Sequence, residues 1–98
     1  MLRVHEERYI SDDYDELVIY NDEIDEWNKI FIDFFGDPIK PPGVKPTIKD
    51  LHLTRNYGSI LINQTLFKKD SVNNIVIAML WPWQDNVHTT LKIARLKK

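Results

Sequence analysis

The stretch Ile75–Trp83 reads IVIAMLWPW, nine residues without a charge. It limits what the chain can become more than any other feature. A helix that crosses a bilayer needs about 20 such residues, so this run is too short to span one. Its β-branched and aromatic side chains fit a pleated surface. Pro82 lacks a backbone donor and belongs at a strand end or a sheet edge. The run therefore predicts a strand over residues 74–82. Antiparallel strands with one wet face alternate apolar and polar side chains. This one does not alternate, so both of its faces require cover.

Two neighbouring strands, 59–67 and 87–95, complete an antiparallel meander. Its turns are Lys69-Asp70-Ser71 and Gln84-Asp85-Asn86, residue types that turns favour. A turn over 84–86 pairs Trp83 with Val87, Trp81 with Thr89, Met79 with Leu91 and Ile77 with Ile93. That register gathers Ile75, Ile77, Met79, Trp81, Val87, Leu91 and Ile93 on one face, with Ile60, Ile62 and Leu66 beside them. Trp81 is then core, and Trp83 covers the core's lower end. The opposite face centres on Val76, Ala78 and Leu80. Asn63 and Thr65 flank it on one side, and His88, Thr90 and Lys92 on the other. Residues 1–20, a second copy of the chain or a ligand could supply its cover.

Ile24, Trp27, Phe31 and Phe34 recur at helical spacing, with Ile30 and Phe35 alongside. Asn21 or Asp22 is the expected cap, and the following acids suit the positive end of the helix dipole. Gly36 and Pro38 stop the helix. Leu17-Val18-Ile19-Tyr20 reads as a short strand ahead of it, although Leu17 and Tyr20 are also in phase with a single helix from Asp12 to Phe35. Residues 2–10 carry a faint extended pattern. Residues 36–46 hold four of the five prolines and read as a stiff connector. Thr47 and Asp50 have the spacing of a capping box, which predicts a short helix over 48–55.

The net charge of −2 conceals a split. Residues 1–37 hold twelve acids and three bases, a balance of −9, and residues 38–98 hold three acids and ten bases, a balance of +7. The halves can attract each other within one chain or between two. There is no cysteine, which excludes disulfides and thiolate chemistry. The N-terminal residues lack the apolar core of a secretion signal, so a cytoplasmic address is expected, and the Asn63-Gln64-Thr65 sequon reads as accidental.

No catalytic motif appears. The serines lack a nucleophile elbow, and three scattered glycines make no phosphate loop. His5, His52 and His88 lie in separate segments without ligand spacing, so neither a metal nor a cofactor is called for. The expected fold is α+β. A three-stranded antiparallel meander in the C-terminal half packs on one main amphipathic helix, with a short N-terminal strand or hairpin and an optional second short helix. Residues 1–98 are expected to form one domain.

The expected function is protein interaction, by self-association or by docking to another protein. The candidate interface or ligand residues are Asn63, Ala78, Leu80, Trp83, His88, Thr90 and Lys92. One alternative is an anionic small molecule held on the same face by Lys92, Asn63 and Thr90, with Trp83 as a wall. A second is nucleic acid bound by Lys68, Lys69, Arg95, Lys97 and Lys98 near Phe67. If Leu80 lies on an open interface, Leu80→Asp turns a dimer into a monomer without unfolding it.

Overall fold

The computed structural model describes residues 2–98. Two strands come first, β1 (Val4–Ile10) and β2 (Tyr14–Tyr20). A 3-10 turn leads into helix α1 (Ile24–Phe35), and the proline-rich connector leads to helix α2 (Ile48–Thr54). Three strands follow, β3 (Thr65–Asp70), β4 (Asn74–Pro82) and β5 (His88–Lys97). All five strands form one antiparallel sheet in the order β1-β2-β5-β4-β3. The fold is α+β as expected, but the sheet has five strands rather than three. Strands β1 and β2, expected as a cover, do not fold across the meander. They extend it sideways, because β2 pairs along β5 from Tyr14–Ala94 to Tyr20–His88.

The register between β4 and β5 differs from expectation by one residue. Leu80 pairs with Leu91, Ala78 with Ile93 and Ile77 with Ala94. The cause is the turn, which has four residues instead of three. The Trp83 N–H donates to the His88 carbonyl at 2.9 Å and closes the loop. Inside it, the Asp85 carboxylate accepts the N–H groups of Val87 and His88, and Asn86 adopts a left-handed φ of 59°. Asparagine tolerates that conformation better than most residues. A shift of one residue exchanges the faces of a strand. Ala78, Leu80, Leu91 and Ile93 therefore share a face with Ile19 and Phe67, and α1 covers it with Phe31, Trp27, Ile24 and Phe35. Leu66, Ile77, Met79 and Ala94 occupy the other face under Leu53, Tyr57 and Ile60. The apolar β4 run is covered twice, as its composition requires, but by the chain's own helices and loops.

Local signals explain the remaining elements. The Thr47 hydroxyl accepts the Asp50 N–H at 3.1 Å while Asp50 Oδ2 accepts the Thr47 N–H at 2.9 Å, a complete capping box for α2. Gly36, at φ 82°, ends α1, its N–H donating to the Ile32 carbonyl. Asn21 does not cap α1. Its side-chain oxygen accepts the Thr89 hydroxyl at 2.6 Å and ties the helix start to β5. Nor does Asp22, which pairs with Arg3 at 2.6 Å. Phe34, expected in the core, is 51% exposed.

The strand expected from residue 59 begins only at Thr65. Gly58 and Ser59 both have positive φ, and Ile60 enters the core from a loop while Ile62 stays exposed. The connector covers the outer edge of β3 at Leu66. Lys40 exchanges backbone hydrogen bonds with Leu66, and its buried ammonium donates to the carbonyls of Pro41, Ile62 and Gln64. Burial lowers the Lys40 pKa, partly offset by Asp50.

Leu80 is thus 3% exposed and enclosed by α1. Leu80→Asp is now expected to unfold the protein rather than separate two copies. Burying an unpaired carboxylate there costs about 4 kcal/mol or more, most of the stability of a small domain. Urea denaturation followed by circular dichroism measures the loss.

Candidate functional site

The structure divides the residues grouped by the sequence between the two faces of the sheet. Ala78 and Leu80 lie inside the α1 core. Asn63 and Leu80 do meet, at a cavity of about 170 Å³ near the start of α1, with Ile24, Asn28 and Pro42. Trp83, His88, Thr90 and Lys92 belong to the opposite face of the sheet. Asn63 and Lys92 thus lie on opposite faces of the sheet.

Lys92 is also occupied. Its ammonium lies 3.3 Å from the Trp81 ring centroid and donates to the Tyr57 carbonyl at 2.8 Å. Burial lowers its pKa, and Glu16 partly offsets that. A cation held by an aromatic face and a carbonyl, 7% exposed, has little left to offer an anion. Gly58 makes this packing feasible. It adopts φ 93°, and a Cβ there would stand 2.4 Å from Trp81 Cη2. Tyr57 in turn stacks on Tyr14, whose hydroxyl donates to Glu16 at 2.6 Å.

Trp83 folds back over the same face. Its indole N–H donates to the Thr90 hydroxyl at 2.8 Å, and the Arg8 guanidinium lies 5.2 Å from its ring. His88 is beside it, and the His5 and His88 rings are 4.4 Å apart. Two of the three histidines therefore meet, one held by the Tyr20 hydroxyl and the other by Asp85. Among the described residues, no group of three or more potential ligands could hold a metal ion. The basic residues near Phe67 are partly spent on pairing. Asp70 faces Lys68 at 3.5 Å and Lys98 at 3.8 Å, and Arg95 pairs with Asp15 at 3.3 Å.

Two surfaces remain open that the sequence did not single out. One is the outer edge of β1. Every residue of this strand is exposed, and it pairs with β2 on one side only. The other is a trough on the α1 face. Strands lie about 4.8 Å apart, so five strands span about 19 Å, whereas a helix is about 10 Å across. One helix covers half of the sheet. The packing of the Phe31 and Phe35 rings against Phe67, at 5.6 and 5.7 Å, sets α1 over the β3 side. Leu17 and Ile93 stay half-buried on the uncovered side, and Val4 and Ile10 are exposed. Ile30 and Phe34 form the helix wall of an open cavity of about 320 Å³, with Val76, Ile93 and Arg95 opposite. The sequence placed Phe34 in the core-facing stripe of the helix, with Ile30 beside it. The free β1 edge had no signal beyond a faint extended pattern.

Compared with protein-family models, with curated proteins and with solved structures, the chain matches none. No helix among the described residues is long and apolar enough to cross a membrane.

Two outcomes test this geometry. Gly58→Ala combines a strained backbone with a clash against Trp81, and is expected to cost about 2–4 kcal/mol in chemical denaturation. Asp85 is held by the His88 ring and by the Val87 and His88 N–H groups, which lower its carboxyl from 3.8 to about 2. A carboxylate lowered in the folded state stabilises above its unfolded pKa, and the contribution is lost as pH falls through the folded value. The Val87 and His88 amide resonances should therefore shift with a midpoint near 2, not near 3.8.

Proposed function

We propose that the protein is a self-associating interaction module that joins two copies through the free edge of β1. The observation that carries this reading is the self-complementarity of that edge. Antiparallel pairing about a two-fold axis at Glu7 sets Val4 against the partner's Ile10, His5 against the partner's Tyr9 and Glu6 against the partner's Arg8. The faces agree as well. Val4, Glu7 and Ile10 pair with Ile19, Leu17 and Asp15 on the α1 side of the sheet. Glu6 and Tyr9 pair with Val18 and Glu16 on the other side. His5 and Arg8 join them there, at His88 and Trp83. Each residue thus meets a partner on its own face, which continuous sheet pairing requires.

The two sheet edges differ in a way that supports the reading. Lys40 covers the β3 edge at Leu66, whereas no such bridge covers β1 among the described residues. Charges and bulges usually guard a bare edge against foreign strands. β1 has both, with register shifts on either side of Glu6-Glu7. Its charges repel a generic strand but match a second copy, except for Glu7, which faces itself. A seven-residue edge buries little area. The expected association is therefore weak, with a dissociation constant on the order of 10–100 µM, about −6 kcal/mol.

Sedimentation equilibrium across that concentration range tests the proposal. Arg8→Glu should weaken association about tenfold, and the Glu6→Arg, Arg8→Glu double variant should restore it. Glu7→Gln should tighten it about two- to fivefold, since like charges directly opposite cost about 0.2–1 kcal/mol. A monomer throughout the range, or a dimer indifferent to Arg8→Glu, overturns the reading.

A further inference from the structure

We infer that the cavity between the end of α2 and the β4–β5 strand pair binds a small organic phosphate with a flat apolar body. The inference does not rest on self-association, since no β1 residue lines the cavity. Leu53, Tyr57, Ile75 and Leu96 form its apolar part, half-buried against the core on the α2 side of the sheet. Tyr57 is fixed from two directions. Its ring stacks on Tyr14 at 5.3 Å, and its carbonyl accepts the Lys92 ammonium at 2.8 Å. The polar part comes from two elements. His52, Arg55 and Asn56 follow at helical spacing through α2 and the 3-10 turn Arg55–Tyr57, so they share one side of that segment. Lys97 joins them from the end of β5. The cavity holds about 280 Å³. Ligand pockets start at roughly 300 Å³, so the space suits one ring and one head group.

Charge selects the ligand. Three basic side chains line the cavity and no acid does. His52, Arg55 and Lys97 make no ion pair among the described residues. The three acids of residues 38–98 are all engaged elsewhere. Asp50 completes the capping box at the other end of α2, Asp70 faces Lys68 and Lys98, and Asp85 holds His88. Glu16, reached from Tyr57 through Tyr14, accepts the Tyr14 hydroxyl and faces Arg8 at 3.9 Å. Asp12 and Asp13 lie in the turn beside β5 and do not line the cavity. Arginine presents a planar fork of donors that matches phosphate, and lysine adds a point charge. A phosphomonoester carries nearly two negative charges at neutral pH, so it uses these bases more fully than a carboxylate does. Phosphate alone would leave the surface of Tyr57, Ile75 and Leu96 without a partner.

Phenyl phosphate is the probe, titrated into the 98-residue chain and followed by amide and methyl NMR. Saturable shifts at Leu53, Tyr57, Ile75 and Leu96 are expected, with a dissociation constant on the order of 0.1–1 mM. Phenol and inorganic phosphate each carry half of the probe, and each should bind at least about tenfold more weakly. Arg55→Gln and Lys97→Gln, both at exposed positions, should each weaken binding about five- to tenfold. Lys29→Gln removes an exposed charge on α1 and should leave binding unchanged. A short phosphotyrosyl peptide should bind no more tightly than phenyl phosphate. Four results overturn the inference. They are phenol or inorganic phosphate binding as tightly as the probe, shifts confined to other surfaces, indifference to both Arg55→Gln and Lys97→Gln, and much tighter binding of the phosphotyrosyl peptide, which would place the ligand on another protein.

Discussion

A strand with apolar side chains on both faces cannot lie at a wet surface, and the organisation of this protein follows from sheltering β4. Ala78 and Leu80 point to α1, and Ile77 and Met79 point to the segment led by α2. Two covers are needed, and the chain supplies them from the stretch between β2 and β3. The connector after α1 carries the chain from one face to the other. On the way it covers the β3 edge at Leu66 through Lys40, whose ammonium donates to the carbonyls of Pro41, Ile62 and Gln64.

The cover is uneven, and the proposed pairing through β1 arises from that. α1 has only 12 residues and lies over the β3 side, so the hairpin β1–β2 extends the sheet beyond its reach. That extension brings the acidic half of the chain beside the basic half. Asp15 of β2 meets Arg95 of β5, a pairing inside one molecule that accounts for part of the charge split.

Much of the fold was legible because its signals are local. The spacing of Ile24, Trp27 and Phe31, the stop at Gly36 and the Thr47–Asp50 capping box each depend on residues a few positions apart. The unbroken apolar run of β4 announced double cover. What failed depended on a single residue of turn length. The tight loop around Asp85 and left-handed Asn86 moved the register by one and turned Ala78 and Leu80 from a supposed interface into core. The same shift parted Asn63 from Thr90 and Lys92, so the imagined site dissolved. Lys92 looked like an anion partner because sequence cannot reveal that Trp81 and the Tyr57 carbonyl already hold it. The β1 edge was unreadable because its meaning depends on which strand lies next to it.

Isotope-filtered NMR on a mixture of labelled and unlabelled protein probes the proposed β1 pairing atom by atom. Pairing about Glu7 requires contacts between the Val4 methyls of one copy and the Ile10 methyls of the other, without Val4–Val4 contacts. Intermolecular signals confined to α1, or none at concentrations well above the dissociation constant proposed for the dimer, would contradict it.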